Sequence, residues 1–498
     1  MKRQMWTLAV LVVATVALAA QQEPREAANP LGQPLVDATG KVRDEAMLRT
    51  PLLPEDRKYA DLDGRRMKQV VMEVDAISLK DRDRGNPFWG RNVGTAGHVA
   101  TQDWVEGYFR KHGLQNIHRM PFDLQPVWTP NSWDISFTSG SQTFKLPSAR
   151  PAARAPSTAA GGLDLDIVWV GGGSDADYIG RDVKGKAVLV HDIPLPGDIR
   201  HTISLEGSVG RAYEKGAAAV GIVFGISDNF AIWQATAGRP GFNLGYEDGM
   251  KIRELIGKGQ PVKVKLQLAA EMRQGLKTAN VVGTLPGQTD EDITILAHMD
   301  GYFQASLDNA SGLAVMIGLL EHFAKMPRAE RRRGIRFIGS AGHHGGPGAR
   351  WLHDDRATAL AKTALAINLE HVAAVRTKYW GPRLRMTTVV SPMRWWVNGS
   401  PRLLDISLAA FRRFNVGITA DMDPGASGEA GSLARDVPMM QVITSPEIKH
   451  TEQDTPEWVP SAGLEQMARA YAKIIDEVNK LDRKDLMPAQ GASTQAAR

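Results

Sequence analysis

The spacing of apolar and polar positions changes several times along the chain. Over 101–111, Trp104, Val105, Tyr108 and Phe109 recur at helical spacing and Gly113 follows as a stop signal, which predicts a helix. Residues 133–137 then alternate as a strand does, and 163–170 and 186–193 read as further strands parted by Gly- and Asp-rich turns. Next come a helix over 208–215, an apolar buried strand over 217–224, a helix over 246–257, and a strand in which Val262, Val264, Leu266 and Leu268 alternate. From about 279 the texture becomes βαβ. Strands are predicted over 293–297, 334–340, 364–369 and 437–443. A helix over 311–324 carries Leu313, Ile317, Leu320 and Ala324 on one face, and a final amphipathic helix over 464–481 turns Met467, Tyr471, Ile474, Ile475 and Val478 inward. Strands alternating with helices imply an α/β fold whose mostly parallel sheet has helices on both faces.

The two ends differ from this body. Residues 1–20 hold a charged start at Lys2 and Arg3, a short apolar run from Trp6 to Leu18, and the small-x-small series Ala17-Leu18-Ala19. That is the pattern of a cleaved secretory signal, too short for a comfortable membrane span, and it places the mature chain in the periplasm or the medium. Residues 21–57 read as a polar linker, and 486–498 as a disordered tail.

Composition narrows the chemistry. With 43% hydrophobic and 23% charged residues over 498 positions, this is a folded protein of several domains and not a low-complexity chain. There is no cysteine. Disulfide scaffolds, thiolate zinc sites, iron–sulfur clusters and cysteine nucleophiles are excluded, so any metal must be held by His, Asp and Glu. The net charge of +5 falls by two once Lys2 and Arg3 are removed, which is no nucleic-acid signature. The tight run of Arg328, Arg331, Arg332 and Arg333 reads as a solvated turn before a strand. Gly171-Gly172-Gly173 is a turn and not a phosphate loop, and Ser311 has no partners for a serine nucleophile.

Seven of the twelve histidines lie after residue 280, and most follow a strand. The strand ending at Ala297 delivers His298 and Asp300, and the next turn delivers Asp308 just before a helix. The strand ending at Ser340 delivers His343 and His344, the one ending at Leu369 delivers Glu370, and the last leads toward His450. Open α/β sheets bind ligands outside the carboxyl ends of their strands, and imidazoles with carboxylates suit zinc and similar divalent ions.

The text that carries these residues is ANVVGTLPG, ILAHMD, LDNASGLAVMIGLL, IRFIGSAGHHGGPGARW, AINLE and KHTEQDTPE, in that order. It resembles the M28 family of zinc aminopeptidases. The stretch DIVWVGGGSDADYIGRDVKGKAVLV, then GAAAVGIV and YEDGMKIRELIGKG, resembles a protease-associated (PA) domain. The resemblance implies a three-layer α/β/α peptidase core, with a first part at 58–132 and the remainder at 277–485, and a β-rich PA-like insert at 133–276. It implies a site for two zinc ions, about 3.5–4 Å apart, that polarise a scissile carbonyl. His298 and Glu370 would hold the first ion, His344 and His450 the second, and Asp308 would bridge them. Asp300 would orient His298 from behind. The substrate implied is the free N-terminal residue of a peptide, or a related amide.

The chain departs from that family at one place. His343-His344 stand where the family has Glu-Glu, the first being the general base and the second a metal ligand; Glu370 stands for the usual Asp. Imidazole at 344 is a workable ligand. For His343 three roles are open: the base, an extra ligand, or a member of a site that binds metal without hydrolysis. Glu429, Glu447 and Glu452 are candidate substitute bases. Two functions follow, an exported metal-dependent exopeptidase or a catalytically silent module that binds peptides or a partner. Tyr379, Trp380, Arg383, Arg385, Arg394, Trp395 and Trp396 form an aromatic, Arg-rich stretch that suits equally a substrate-pocket loop whose Arg grips a carboxylate and an aromatic-packed flap or homodimer contact.

Overall fold

The computed structural model describes residues 35–37, 40–195, 201–342, 344, 346, 356–429 and 437–488. The signal-like segment 1–20, His343 and the tail beyond 488 lie outside them.

Seven strands build the larger sheet: β1 (Gln115–Asp123), β2 (Lys277–Leu285), β3 (Asp292–His298), β4 (Gly334–Ser340), β5 (Thr363–Leu369), β6 (Arg394–Asn398) and β7 (Met439–Ile443). Their spatial order is β1-β2-β4-β3-β5-β7-β6. Strands β4, β3, β5 and β7 are mutually parallel, and antiparallel pairs flank them at both edges. The sheet is therefore mixed with a parallel centre. The central strands are nearly all Val, Ile, Leu, Ala and Phe because both faces are covered.

One face meets helices α1 (Gly64–Asp83), α2 (Ala96–Lys111), α3 (Gly312–Ala324), α4 (Pro401–Arg413) and α5 (Ser461–Val478), which share a single core with Ile293, Ile295, Phe337 and Ile367. The other face carries a smaller core of Val282, Leu296, Ile338, Leu360, Ala366 and Met439. Helix α3 is apolar almost all round, since it lies between α1 and the sheet. Asp63, Thr95 and Ser400 cap α1, α2 and α4 by accepting first-turn N–H groups, each worth about 1 kcal/mol.

A second, eight-stranded sheet runs in the order Gln142–Lys145, Val127–Ser139, Val262–Arg273, Leu163–Trp169, Ala187–Asp192, Ala219–Phe224, Gly241–Leu244 and Arg150–Pro151. It has its own core on each face. An aromatic cluster joins it to the larger unit. Trp233 meets Phe88 and Trp133 edge-on and stacks on Phe303, with ring centroids 4.8, 5.9 and 6.3 Å apart.

Several sequence expectations change. The boundary expected between 132 and 133 falls inside the strand Val127–Ser139. Part of the expected linker packs on the body: Val42, Met47 and Asp56 are buried, and Asp56 pairs with Arg413. The arginine run is only partly solvated: Arg328 is exposed and Arg332 half-buried, whereas Arg331 and Arg333 are buried. Arg333 is 0% exposed and donates to the Val478 and Leu481 carbonyls, while Arg331 donates to the Phe323 carbonyl. These arginines satisfy carbonyls left over at the ends of α5 and α3. The aromatic, Arg-rich stretch forms the hairpin Val375–Trp380 with Arg383–Val390, followed by β6.

Candidate metal centre

Strands β3, β4, β5 and β7 end at one edge of the larger sheet, and the parallel register sets those ends side by side. His298 is the last residue of β3. His344 follows β4, Glu370 and His371 follow β5, and the loop after β7 carries His450. Asp300 and Asp308 come from the turn between β3 and α3. The structure thus brings together every site residue expected from the sequence except His343, which lies outside the described residues.

Asp308 is the hub. Its Oδ1 lies 3.2 Å from His298 Nε2 and 3.0 Å from His371 Nε2. Its Oδ2 lies 2.9 Å from His450 Nε2 and 3.9 Å from His344 Nε2. The two last imidazoles face each other, with Nε2 atoms 3.1 Å apart. Glu370 Oε1 stands farther out, 4.0 Å from His298 Nε2 and 3.9 Å from His371 Nε2. Behind them, Asp300 Oδ1 is 2.7 Å from His298 Nδ1, and its Oδ2 accepts the His344 backbone N–H at 2.9 Å.

This donor set fits a divalent cation. His298–Asp300–His344, His298–Asp308–His371 and Asp308–His344–His450 each bring their ligand atoms within 4.8 Å of one another. Both Asp308 oxygens and His371 Nε2 are buried with no hydrogen-bond partner among the described residues. Such groups cost about 1–3 kcal/mol each until a cation or a proton satisfies them. The charges are tuned to each other. Burial would raise the Asp308 carboxyl, but His371 and His344 hold it well below the usual carboxylate range. Burial would lower His298, yet Asp300 and Asp308 hold it well above the usual imidazole range.

A deeper layer fixes the Asp308 turn. Asp454 accepts the Leu307 and Asp308 backbone N–H groups at 2.7 and 3.1 Å, and burial pushes its carboxyl up to about 7. Asp75 accepts the Ser306 hydroxyl at 2.7 Å, and burial pushes it up to about 8. Arg91 is 0% exposed and donates to the Met299, Gln304 and Ala305 carbonyls and to Ser78 Oγ, which ties the turn to α1. Two glycines let loops approach the carboxylates. At Gly342 (φ +88) a Cβ would overlap the Asp300 carboxylate, and at Gly428 (φ +57) one would overlap that of Glu370.

The substitute bases separate. The Glu429 backbone N–H donates to Glu370 Oε2 at 3.1 Å, and its own carboxylate, fully buried, accepts from Ser340 Oγ. Glu447 is held by Thr377, and Glu452 accepts the Ala231 N–H, so both are engaged elsewhere. A cavity of about 750 Å³ reaches His344 and Tyr302 and is walled by Phe88, Trp128, Arg154 and Arg273. None of the aromatic, Arg-rich stretch 379–396 lines it. Sequence reasoning missed His371. Its signal was present: it is one of the late histidines and directly follows a strand-end ligand.

Residues 280–475 match the model of Peptidase family M28. No curated protein matches the chain. Among solved structures, the chain resembles a zinc aminopeptidase of Bacillus subtilis, with TM-score 0.60 at 18% identity, covering 85% of this chain and 98% of that one. It also resembles a Peptidase M28 precursor of Shewanella amazonensis SB2B, with TM-score 0.61 at 18% identity, covering 84% and 97%. An aminopeptidase of Aneurinibacillus sp. strain AM-1 gives 0.56 at 18% identity, covering 87% and 96%. At this identity the likeness is one of fold, and the fold is that of M28 peptidases.

Proposed function

We propose that this chain is an exported, metal-dependent exopeptidase of the aminopeptidase kind, which hydrolyses the N-terminal bond of a peptide or a related amide. One observation carries the reading. Asp308 offers one oxygen to His298 and the other to His450, as a carboxylate does when it bridges two ions. Zinc is the proposed metal because the donors are imidazole nitrogens and carboxylate oxygens only. His298, Asp308 and Glu370 would hold the first ion; Asp308, His344 and His450 would hold the second. Bound there, zinc supplies Lewis acidity toward a carbonyl oxygen.

The chain's own groups do the rest. Asp300 orients His298 and His344 from behind. Tyr302, whose ring centroid lies 5.2 Å from that of His344 and 5.4 Å from that of His450, closes the site toward the cavity. Phe88 and Trp128 give a substrate side chain an apolar wall. His343 stands at the base position of the M28 pattern and is the proposed proton acceptor, with Glu429, whose backbone N–H meets Glu370, the carboxylate alternative. The unit built on the second sheet is the proposed PA-like insert, and the N-terminal pattern of charged, apolar and small residues supports export. The His-His pair favours one second reading, a silent peptide-binding module, because the pair removes the carboxylate base.

Metal analysis of purified protein, with an aminoacyl-amide panel run with and without chelator, tests the reading. Stoichiometric divalent metal and chelator-sensitive release of an amino acid, lost in His298→Ala, are expected. Protein that carries no such metal and gains none on soaking overturns it. Metal without turnover, with activity appearing only after His343→Glu and His344→Glu together, establishes the silent module instead.

A further inference from the structure

The two ion positions are unequal, and the difference lies in a residue outside the M28 pattern. We propose that His371 is itself a ligand of the first ion, so that this position has more protein donors than the second. The inference rests on the two-ion reading above.

His371 is fixed at both ends. Its backbone N–H donates to Asn309 Oδ1 at 3.1 Å, and its ring Nδ1 lies 2.9 Å from the Thr444 carbonyl oxygen. A carbonyl can only accept, so Nδ1 carries the hydrogen, and Nε2 is the ring nitrogen left to face the carboxylates. That nitrogen is 3.0 Å from Asp308 Oδ1 and 3.9 Å from Glu370 Oε1, in a side chain only 2% exposed.

The approach also lacks hydrogen-bond geometry. Neither His371 Nε2 nor Asp308 Oδ1 has a hydrogen-bond partner among the described residues, although the two are within hydrogen-bond distance of each other. An off-axis approach is what two donors to one ion show, because each aims at the ion and not at its neighbour. Donors on a four-coordinate zinc with bonds of about 2.0–2.1 Å sit about 3.3 Å apart. The His298–Asp308 and His371–Asp308 separations, 3.2 and 3.0 Å, are near that value.

The first position then draws on His298, Asp308, His371 and Glu370, and the second on Asp308, His344 and His450. Closed sites are the structural pattern, and a position with three protein ligands keeps room for substrate. The first ion is therefore the tightly held one. The second is the exchangeable one beside the cavity, where His344 is part of the wall.

Competitive chelator titration of the full-length mature protein with zinc tests this. Wild type is expected to show a tight and a weaker site. His371→Ala is expected to weaken the tight site at least about tenfold and leave the weaker one unchanged. Both constants unchanged in that variant overturns the proposal. Should the variant fail to fold, wild-type protein loaded with cadmium-113 gives the same decision: a through-bond coupling from the metal to the His371 ring is expected, and its absence, or an Nε2 that carries a proton in the loaded protein, overturns the proposal. A wild type that binds no divalent metal removes the two-ion reading itself. Metal binding with an indifferent His371 removes only this inference.

Discussion

Asp300 Oδ1 lies 2.7 Å from His298 Nδ1, and both side chains are 0% exposed. The contact fixes the imidazole so that Nε2 faces Asp308, and the other Asp300 oxygen holds the backbone of His344. One carboxylate thus sets a donor for each proposed ion. Asp300→Asn keeps the shape and loses the charge. It is expected to weaken zinc about 10–100-fold, measured by chelator competition, with a near-normal far-UV spectrum. An unchanged affinity would show that His298 is oriented by other means.

Gly342 offers a steric test of the same shell. A methyl group there would overlap the Asp300 carboxylate, and the backbone sits at φ +88. Gly342→Ala is expected to cost on the order of 1–3 kcal/mol in denaturant unfolding and to weaken metal binding in parallel. A variant with wild-type stability and affinity would mean that the loop shifts freely.

Arg91 is a fully buried cation with four hydrogen bonds to the turn and to α1. Arg91→Met leaves three carbonyls unpaired, and leaves Asp75 without the cation that lowers its carboxyl. A loss of about 3–5 kcal/mol is expected from urea titration of the metal-free protein. A loss below about 1 kcal/mol would contradict this account of the turn.

Asp75 predicts a pH dependence. Burial pushes its carboxyl up to about 8, whereas an unfolded aspartate titrates near about 3.9. Between those values the folded chain holds a proton that the unfolded chain has released. The contribution of Asp75 is complete below about pH 4 and is lost as pH rises through about 8. Compared with Asp75→Asn, wild type should therefore lose stability on the order of a few kcal/mol across that range, read by urea titration of metal-free protein at several pH values. A difference between the two that does not vary with pH would refute the assignment.

Much of the architecture was legible in order and kind. The strands expected over 334–340 and 364–369 form at Gly334–Ser340 and Thr363–Leu369, and the helix over 246–257 forms at Tyr246–Gly257. These segments are strongly periodic or wholly apolar, so local pattern and burial agree. Helix α1 and strand β1 were not anticipated. The apolar stripe of α1, from Met67 through Val70, Val71 and Val74, is diluted by charged residues, and every residue of the edge strand β1 is exposed or half-buried. The arginine run looked like solvent-facing charge because sequence does not show which carbonyls lie within reach of a guanidinium.

The sequence by itself determined the donor chemistry. Zero cysteines and a series of His, Asp and Glu residues after strands leave imidazole and carboxylate as the ligands, and parallel strands leave one sheet edge on which to gather them. Tertiary structure decided which of these groups meet. It set Asp308 between two pairs of imidazoles, placed Asp75, Asp454 and Arg91 beneath its turn, and turned His371 inward by giving its Nδ1 to the Thr444 carbonyl. The reason is physical: strand order and register bring together proposed ligands up to about 150 positions apart in the chain, and whether a histidine is a ligand depends on the partner that takes its other nitrogen.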